Sequence, residues 1–152
     1  MASEPPLSHI ELALIEAEAA ARRGEVPVGA VIIGPRGDLL ARAGNRTREQ
    51  HDPTAHAEML AIRAACAVLK SERLTGCDLW VSLEPCPMCA AAISFARIRR
   101  LYFGASDPKG GGVEHGPRIY SQATCHHRPE VYSGYGEARS AELLKAFFAA
   151  RR

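Results

Sequence analysis

Apolar and polar residues along the chain follow two periods, one typical of helices and the other of buried strands. Helices are indicated where Ala, Leu or Phe recurs about every three to four positions, and strands where short apolar runs are bounded by Gly, Pro or polar residues. The predicted helices cover residues 8–23, 54–70, 86–96 and 137–152, and the predicted strands cover residues 26–33, 39–43, 79–83, 100–104 and 131–133.

The ends of the predicted helices carry specific signals. Ser8 and Glu11 have the spacing of a capping box, and Gly24 ends the first helix. Thr54 is the predicted N-cap of the second helix. The residues predicted to face inward are Met59, Ile62, Ala65, Cys66 and Leu69 on the second helix, and Leu143, Leu144, Phe147 and Phe148 on the last.

The order of the elements predicts an α/β layered domain, because strands alternate with helices over most of the chain. Residues 34–38 form a turn signal that predicts an early antiparallel hairpin, and the sheet is therefore expected to be mixed. Gly29 is a weak point inside the first strand, and the polar segment 45–53 is predicted to be a loop. A chain of 152 residues is expected to form a single domain, 1–152.

Composition and charge are those of an ordinary globular domain. Hydrophobic residues make up 47% and charged residues 24%, and a net charge of +2 does not by itself indicate a nucleic-acid binder. No apolar run approaches the roughly 20 residues that span a bilayer, and the N-terminus lacks the pattern of a secretory signal. We therefore expect a cytoplasmic protein without a membrane segment, whose isolated cysteines, Cys66, Cys77 and Cys125, are buried as small apolar side chains.

Two short motifs carry candidate metal ligands. His56 lies in Thr-Ala-His-Ala-Glu, and Cys86 and Cys89 lie in Pro-Cys-Pro-Met-Cys at the predicted start of a helix. Imidazole and thiolate suit Zn²⁺, and a helix N-terminus favours thiolate over thiol. The three residues are the predicted ligands of one zinc ion per chain, with a fourth position open to water.

Glu58 is the predicted catalytic residue. Zinc-bound hydroxide would be the nucleophile, and Glu58 would carry protons to a ring nitrogen and to the departing amine. Each motif alone has alternatives: Cys-x-x-Cys can be a redox pair, and a structural zinc could take a fourth ligand. The candidates for that ligand are His115, His126, His127 and Cys125. The order His-x-Glu followed by Pro-Cys-x-x-Cys favours a zinc-dependent deaminase of nucleobases.

The match to known deaminases extends beyond the metal motifs. At these residues the sequence resembles the bacterial tRNA-specific adenosine deaminases of the cytidine-deaminase-like superfamily, from about residue 8 to the end. The segments that carry the resemblance are 25–31, 44–46, 51–58, 83–86, 103–105, 107–109, 127–128 and 147–148.

The resemblance implies a three-layer α/β/α fold around a five-stranded mixed sheet, and a homodimer with its active sites near the interface. It implies hydrolytic deamination of the wobble adenosine in a tRNA anticodon, usually that of an arginine tRNA, to inosine. The partner would be the anticodon stem-loop, and Asn45 would hydrogen-bond the flipped base or its ribose. The implied pocket and anticodon-loop contacts also include the backbone at Ala57 and Glu84 and the residues Asp107, Lys109, Phe148 and Arg151.

Some alternatives stay open from the sequence. Segment 110–125 differs from better-known members of the family, Asp107 could be a turn residue, and Asn45 could be a loop residue in a left-handed conformation. A deaminase of a free base or nucleoside, such as guanine, cytosine or cytidine, would share the zinc chemistry. A catalytically silent zinc fold that binds RNA or a partner is a third hypothesis, and Glu58 argues against it.

Overall fold

The elements of the fold follow the predicted order closely. The computed structural model describes residues 7–151. Its helices are α1 (His9–Arg22), α2 (Ala57–Leu69), α3 (Pro87–Phe95) and α4 (Glu137–Ala149), with a short 3₁₀ turn at Ile119–Ser121. Its strands are β1 (Gly29–Ile33), β2 (Leu39–Gly44), β3 (Asp78–Leu83), β4 (Arg100–Ala105) and β5 (Glu130–Tyr132).

The strands form one mixed five-stranded sheet in the order β2-β1-β3-β4-β5. β1 runs antiparallel to both β2 and β3, and β3, β4 and β5 are mutually parallel. α2 packs on β1 and β2 and contacts α3, while α1 and α4 contact each other and pack on the sheet. Side chains along β1 point alternately to the two faces of the sheet, and those of Ala30 and Ile32 lie in the core beneath α2 and α3. The predicted three-layer α/β/α architecture is confirmed.

Local signals correctly set the start of α1, and local turns moved the starts of β1 and α2 from their predicted positions. The capping box of Ser8 and Glu11 is formed in both directions. β1 begins at Gly29, because Pro27 has no N–H and the Val28 N–H turns back to the Val26 carbonyl oxygen at 2.8 Å.

The predicted N-cap of the second helix is wrong. α2 has His56 at its N-cap, not Thr54. The Thr54 hydroxyl and N–H both donate to Asp52 Oδ1, at 2.7 and 2.8 Å, so this side chain stabilises the preceding turn. The shift places His56 at the very end of the helix, where its side chain is free of the helical surface.

Two residues predicted to face inward are exposed. Leu69 is 41% exposed in the last turn of α2, just before Lys70 takes a left-handed conformation. Phe148 is 50% exposed and packs edge-on against the buried Phe147. Both residues lie in the last turn of their helices, and helical periodicity does not show how much of that turn the rest of the fold covers.

Of the three isolated cysteines predicted to be buried, the structure buries only Cys77 fully. Cys77 is buried, Cys66 and Cys125 are half-buried, and all five cysteines are free. Among residues 7–151, no helix combines the length and the apolar character that crossing a membrane would need.

Helix α1 lies unusually close to the first two strands. Its inner face consists of Ala13, Ala17 and Ala20, each fully buried. A Cβ at Gly29 would lie 2.5 Å from Ala17 N, and a Cβ at Gly44 would lie 2.7 Å from Glu16 O. Small residues on both surfaces therefore set the distance between α1 and the sheet.

We predict that Gly29→Ala destabilises the fold by about 3 kcal/mol or more, because the added methyl group overlaps the α1 backbone. Urea denaturation of the variant and the wild type measures the change. Gly37→Ala is the matched control: its Cβ would meet nothing within 4 Å, and only the positive φ of 82° opposes it. That control should cost about 1 kcal/mol. Equal losses in the two variants would contradict the close approach.

Candidate active site

The predicted metal ligands come together at the N-termini of α2 and α3. His56 is the N-cap of α2, Cys86 is the N-cap of α3, and Cys89 lies in the first turn of α3. His56 Nδ1 is 3.6 Å from Cys86 Sγ and 3.4 Å from Cys89 Sγ. Neither His56 nor Cys86 caps its helix with a side-chain hydrogen bond, so both side chains are available to a ligand.

The donor set and its spacing fit tetrahedral zinc. With Zn–N bonds of about 2.0–2.1 Å and Zn–S bonds of about 2.3 Å, a nitrogen and a sulfur ligand lie about 3.5 Å apart. The two observed N–S separations lie on either side of this value. The sulfur nearest the helix start is also prepared for ligation: hydrogen bonding from Cys89 and His56 outweighs burial and lowers the pKa of Cys86 to about 4.

The alternative fourth ligands lie elsewhere. In residues 7–151, the metal-sized cluster at this site comprises His56, Cys86 and Cys89. His115 Nδ1 is 2.7 Å from Glu84 Oε1, and His127 Nε2 is 2.6 Å from the Ile98 carbonyl oxygen. The open fourth position that marks a catalytic zinc site is therefore preserved among these residues.

Glu58 lies beside the cluster in a buried position. It is only 3% exposed, in the first turn of α2, and it lines the same cleft as His56 and Cys86. Burial raises the pKa of Glu58 to about 7, against the opposing effects of its backbone hydrogen bond and of His56. A carboxyl group with a pKa near neutrality can both accept and return a proton.

The cleft above the cluster has a volume of about 290 Å³. Val26 and Val28 form an apolar wall, and Asn45 and Asp107 are among its polar groups. The full lining is Val26, Val28, Asn45, Thr47, His56, Glu58, Leu83, Glu84, Cys86, Asp107 and Gly110. A second cleft of about 220 Å³ between α3 and segment 119–126 contains none of the predicted ligands or substrate contacts, but two of the candidate fourth ligands, Cys125 and His126, line it.

Asn45 is held in one orientation. Its Oδ1 accepts a hydrogen bond from the Ala57 N–H at 2.7 Å, and its carbonyl oxygen accepts one from Arg23 at 3.0 Å. The side-chain amide nitrogen is the polar atom that remains for the cleft. Asn45 has no positive φ, so the left-handed alternative is wrong. Ala57 itself is fully buried, and its N–H orients Asn45.

A buried carboxylate that sequence reasoning missed holds the loop after Asn45. Glu25 is 1% exposed and accepts hydrogen bonds from Arg48 N at 3.1 Å, Glu49 N at 2.9 Å and the Thr47 hydroxyl at 3.4 Å. Burial alone raises the pKa of Glu25, but these hydrogen bonds outweigh it and the pKa is lowered. The available signals were an acidic residue directly before an apolar strand and its place in segment 25–31, which carries the family resemblance.

Glu84 plays the same role for the opposite wall, and the sequence had assigned only its backbone to the pocket. Its side chain is fully buried and accepts hydrogen bonds from four backbone N–H groups and one imidazole. Burial raises the pKa of Glu84, but the hydrogen bonds dominate and the net pKa is lowered.

Of the other residues predicted to contact the substrate, Asp107 lines the cleft and Lys109 and Phe148 do not. The Oδ1 atom of Asp107 also accepts hydrogen bonds from Lys109 N and Gly110 N at 3.3 and 3.0 Å. Asp107 therefore stabilises a turn as well, which was the alternative left open by the sequence. Lys109 is exposed and, like Phe148, is not part of the cleft lining. Both lie on the surface outside the cleft.

The chain matches known proteins over most of its length. Residues 4–105 match the family model described as the cytidine and deoxycytidylate deaminase zinc-binding region. The chain is 63% identical over 143 residues to the tRNA-specific adenosine deaminase of Agrobacterium fabrum, which covers 94% of this chain and 93% of that relative.

Solved structures show the same likeness. One, described under "Biochemical and Structural Studies of A-to-I Editing by tRNA:A34 Deaminases at the Wobble Position of Transfer RNA", has a TM-score of 0.88 at 64% identity, covering 90% of this chain and 98% of that chain. Guanine deaminase from Bacillus subtilis has a TM-score of 0.62 at 40% identity, covering 64% and 62%. The chain therefore belongs to the zinc-binding cytidine and deoxycytidylate deaminase family, and within it to the tRNA-specific adenosine deaminases.

Proposed function

We propose that this protein converts the wobble adenosine of a tRNA anticodon, that of an arginine tRNA, to inosine by hydrolytic deamination. The observation that carries the proposal is the cluster of His56, Cys86 and Cys89 with Glu58 beside it in one cleft. The 63% identity to a tRNA-specific adenosine deaminase supports RNA as the substrate.

His56, Cys86 and Cys89 would hold the zinc. Bound zinc supplies a Lewis acid that lowers the pKa of water and so provides a nucleophile near neutral pH. Glu58 takes the proton that water releases, delivers a proton to the ring nitrogen next to C6, and assists departure of the amine as ammonia. Water is consumed, the C–N bond breaks, and a carbonyl replaces the amine.

The cleft accounts for how a single base would be bound. Val26 and Val28 provide an apolar surface for the ring, and the amide nitrogen of Asn45 donates a hydrogen bond to an acceptor on the base or ribose. A stacked base cannot reach such a site, so the target nucleotide must be extruded or already unpaired. Anticodon loops present unpaired bases at low cost.

The rim outside the cleft would contact the rest of the anticodon loop. Asp107 lines the cleft, while Lys109, Phe148 and the cation Arg151 are exposed surface groups. Arg151 is held in place by stacking over the Phe147 ring, 3.5 Å from its centroid. Arg152, another candidate for a phosphate contact, lies outside the described residues.

A free-base deaminase remains a second candidate, and the 40% identity to guanine deaminase from Bacillus subtilis is the observation that favours it. The catalytic groups would be the same in both cases. Only the substrate distinguishes the two functions.

The proposed assembly is a homodimer. Large apolar side chains are exposed at the C-terminal ends of two contacting helices, with Phe95 78%, Val68 59% and Leu69 41% exposed. Extended exposed apolar surface is a feature of protein–protein interaction sites.

We predict that the wild type sediments as a stable dimer at micromolar concentration. Phe95→Glu should shift the equilibrium toward monomer, because it places a charge in the exposed apolar surface formed by Phe95, Val68 and Leu69. Leu39→Glu is the control, since Leu39 is a 45% exposed apolar residue on the edge strand β2. A wild-type protein that sediments only as a monomer would refute the dimer.

We predict that Glu58→Gln keeps the zinc and the fold but lowers turnover by at least about 100-fold, the usual scale for a lost general acid–base group. Cys86→Ala is the contrasting variant and should lose both metal and activity, because it removes a ligand. Metal analysis, circular dichroism and ammonia release measure the three properties. Near-normal turnover in zinc-loaded Glu58→Gln would show that Glu58 is not the proton carrier.

We predict efficient inosine formation in an arginine tRNA with adenosine at the wobble position, and feeble turnover of free adenosine, guanine and cytidine. RNA binding should weaken steeply as salt rises, because phosphate contacts release counterions, whereas turnover of a free nucleoside should respond little. Ammonia release and inosine mapping on the separate substrates measure this. If a free base is converted efficiently while the tRNA stays unedited, the protein is a free-base deaminase and the proposed RNA substrate is wrong.

A further inference from the structure

Glu84 holds the two ends of segment 107–115 with its two carboxylate oxygens. Oε1 accepts from Asp107 N at 3.0 Å, at the start of the segment. Oε2 accepts from the N–H groups at its end, Val113 at 3.2 Å, Glu114 at 2.9 Å and His115 at 3.1 Å. The segment therefore folds around one buried charge.

The middle of the segment packs closely against the backbone of residues 85–87, which contain the metal ligand Cys86. A Cβ at Gly111 would overlap the Glu84 carboxyl group, and a Cβ at Gly112 would lie 2.6 Å from Pro87 N. The Gly112 N–H also donates to the Pro85 carbonyl oxygen at 2.8 Å. These contacts tie the segment that carries Asp107 and Gly110, two lining residues of the cleft, to the backbone on either side of Cys86.

His115 adds a contact of a different kind. Its Nδ1 lies 2.7 Å from Glu84 Oε1, the oxygen that also accepts from Asp107 N. The ring therefore links the end of the segment to the oxygen that holds its start. The terminal torsion of a glutamate is broad, and a second donor on Oε1 fixes the plane of the carboxylate. The ring is 36% exposed, so its role in core packing is small.

We propose that His115 is a positioning residue of the active site: by donating from Nδ1 to Glu84, it fixes segment 107–115 as the wall of the cleft against which the substrate nucleotide is seated. This inference rests on the proposed function for the identity of the substrate. It assigns a role within segment 110–125, where the sequence departs from better-known members of the family. Glu84 and His115 do not react with the substrate, and they act through Asp107 and Gly110.

A consequence distinguishes positioning from simple structural support. A wall that contacts the nucleotide equally before and during reaction contributes to binding in both states, so its loss raises KM and leaves kcat nearly unchanged. Loss of zinc or of Glu58 instead lowers kcat. A change confined to folding stability moves neither constant in the folded protein.

The experiment compares variants of His115 in the zinc-loaded protein. His115→Asn retains an N–H donor near the Nδ1 position, whereas His115→Leu removes the donor and His115→Gln carries its amide farther along the side chain. Relative to wild type, His115→Leu and His115→Gln should raise KM for an anticodon stem-loop about tenfold, the scale of one hydrogen bond to a charged group, with kcat within about threefold. His115→Asn should stay close to wild type. His126→Gln is the control, because His126 is an exposed histidine outside the cleft lining.

A second measurement does not depend on activity. Hydrogen exchange of the Asp107, Val113, Glu114 and His115 amides should accelerate about tenfold in His115→Leu and not in His115→Asn, while zinc content stays the same. Unchanged exchange together with unchanged KM in His115→Leu would overturn the inference. Faster exchange with unchanged KM would also overturn it, because His115 would then stabilise the segment without affecting substrate binding. If the wild type deaminates guanine and not tRNA, the proposed function fails, and KM for guanine then decides the role of His115.

Discussion

Two helices that begin at one point create the chemistry of this protein. α2 and α3 both start with a metal-ligand residue at the N-cap, and both lie against the same face of the sheet. The positive ends of their dipoles and the free N–H groups of their first turns favour thiolate and carboxylate at this point. The short separations between His56 and the two cysteines follow from the packing of whole helices, which holds the ligands more firmly than loops alone would.

The sheet supports this convergence by close packing on its other face. α1 approaches β1 and β2 so closely that glycine is required at Gly29 and Gly44. On β3, the Ser82 hydroxyl accepts a hydrogen bond from the Gly29 N–H at 3.1 Å. The Ser82 carbonyl oxygen accepts one from the Ser140 hydroxyl of α4. β3 leads directly into the Glu84–Cys86 loop, so the layer behind the sheet helps to fix the strand from which the metal site emerges.

Two buried carboxylates shape the cleft around the metal site. Glu25 organises the loop after Asn45, and Glu84 organises segment 107–115 on the opposite side. A buried carboxylate is stable only when its oxygens are satisfied, and here backbone N–H groups of otherwise irregular loops satisfy them. Burial and hydrogen bonding therefore determine the walls of the cleft, while the helix termini determine its floor.

The sequence by itself determined the layered fold, the mixed sheet and the three clustered ligands with Glu58, because these depend on local periodicity, turn residues and motif spacing. It did not determine how deeply the last turns of α2 and α4 are buried, so Leu69 and Phe148 were predicted to face inward although they are exposed. It also assigned the α2 cap to Thr54, because the competing turn, in which the Thr54 hydroxyl and N–H donate to Asp52, was not recognised from the sequence. The roles of Glu25, Glu84 and His115 were decided by tertiary structure alone, since their partners lie 22 to 31 residues away and hydrogen bonds over such separations leave no periodic signal.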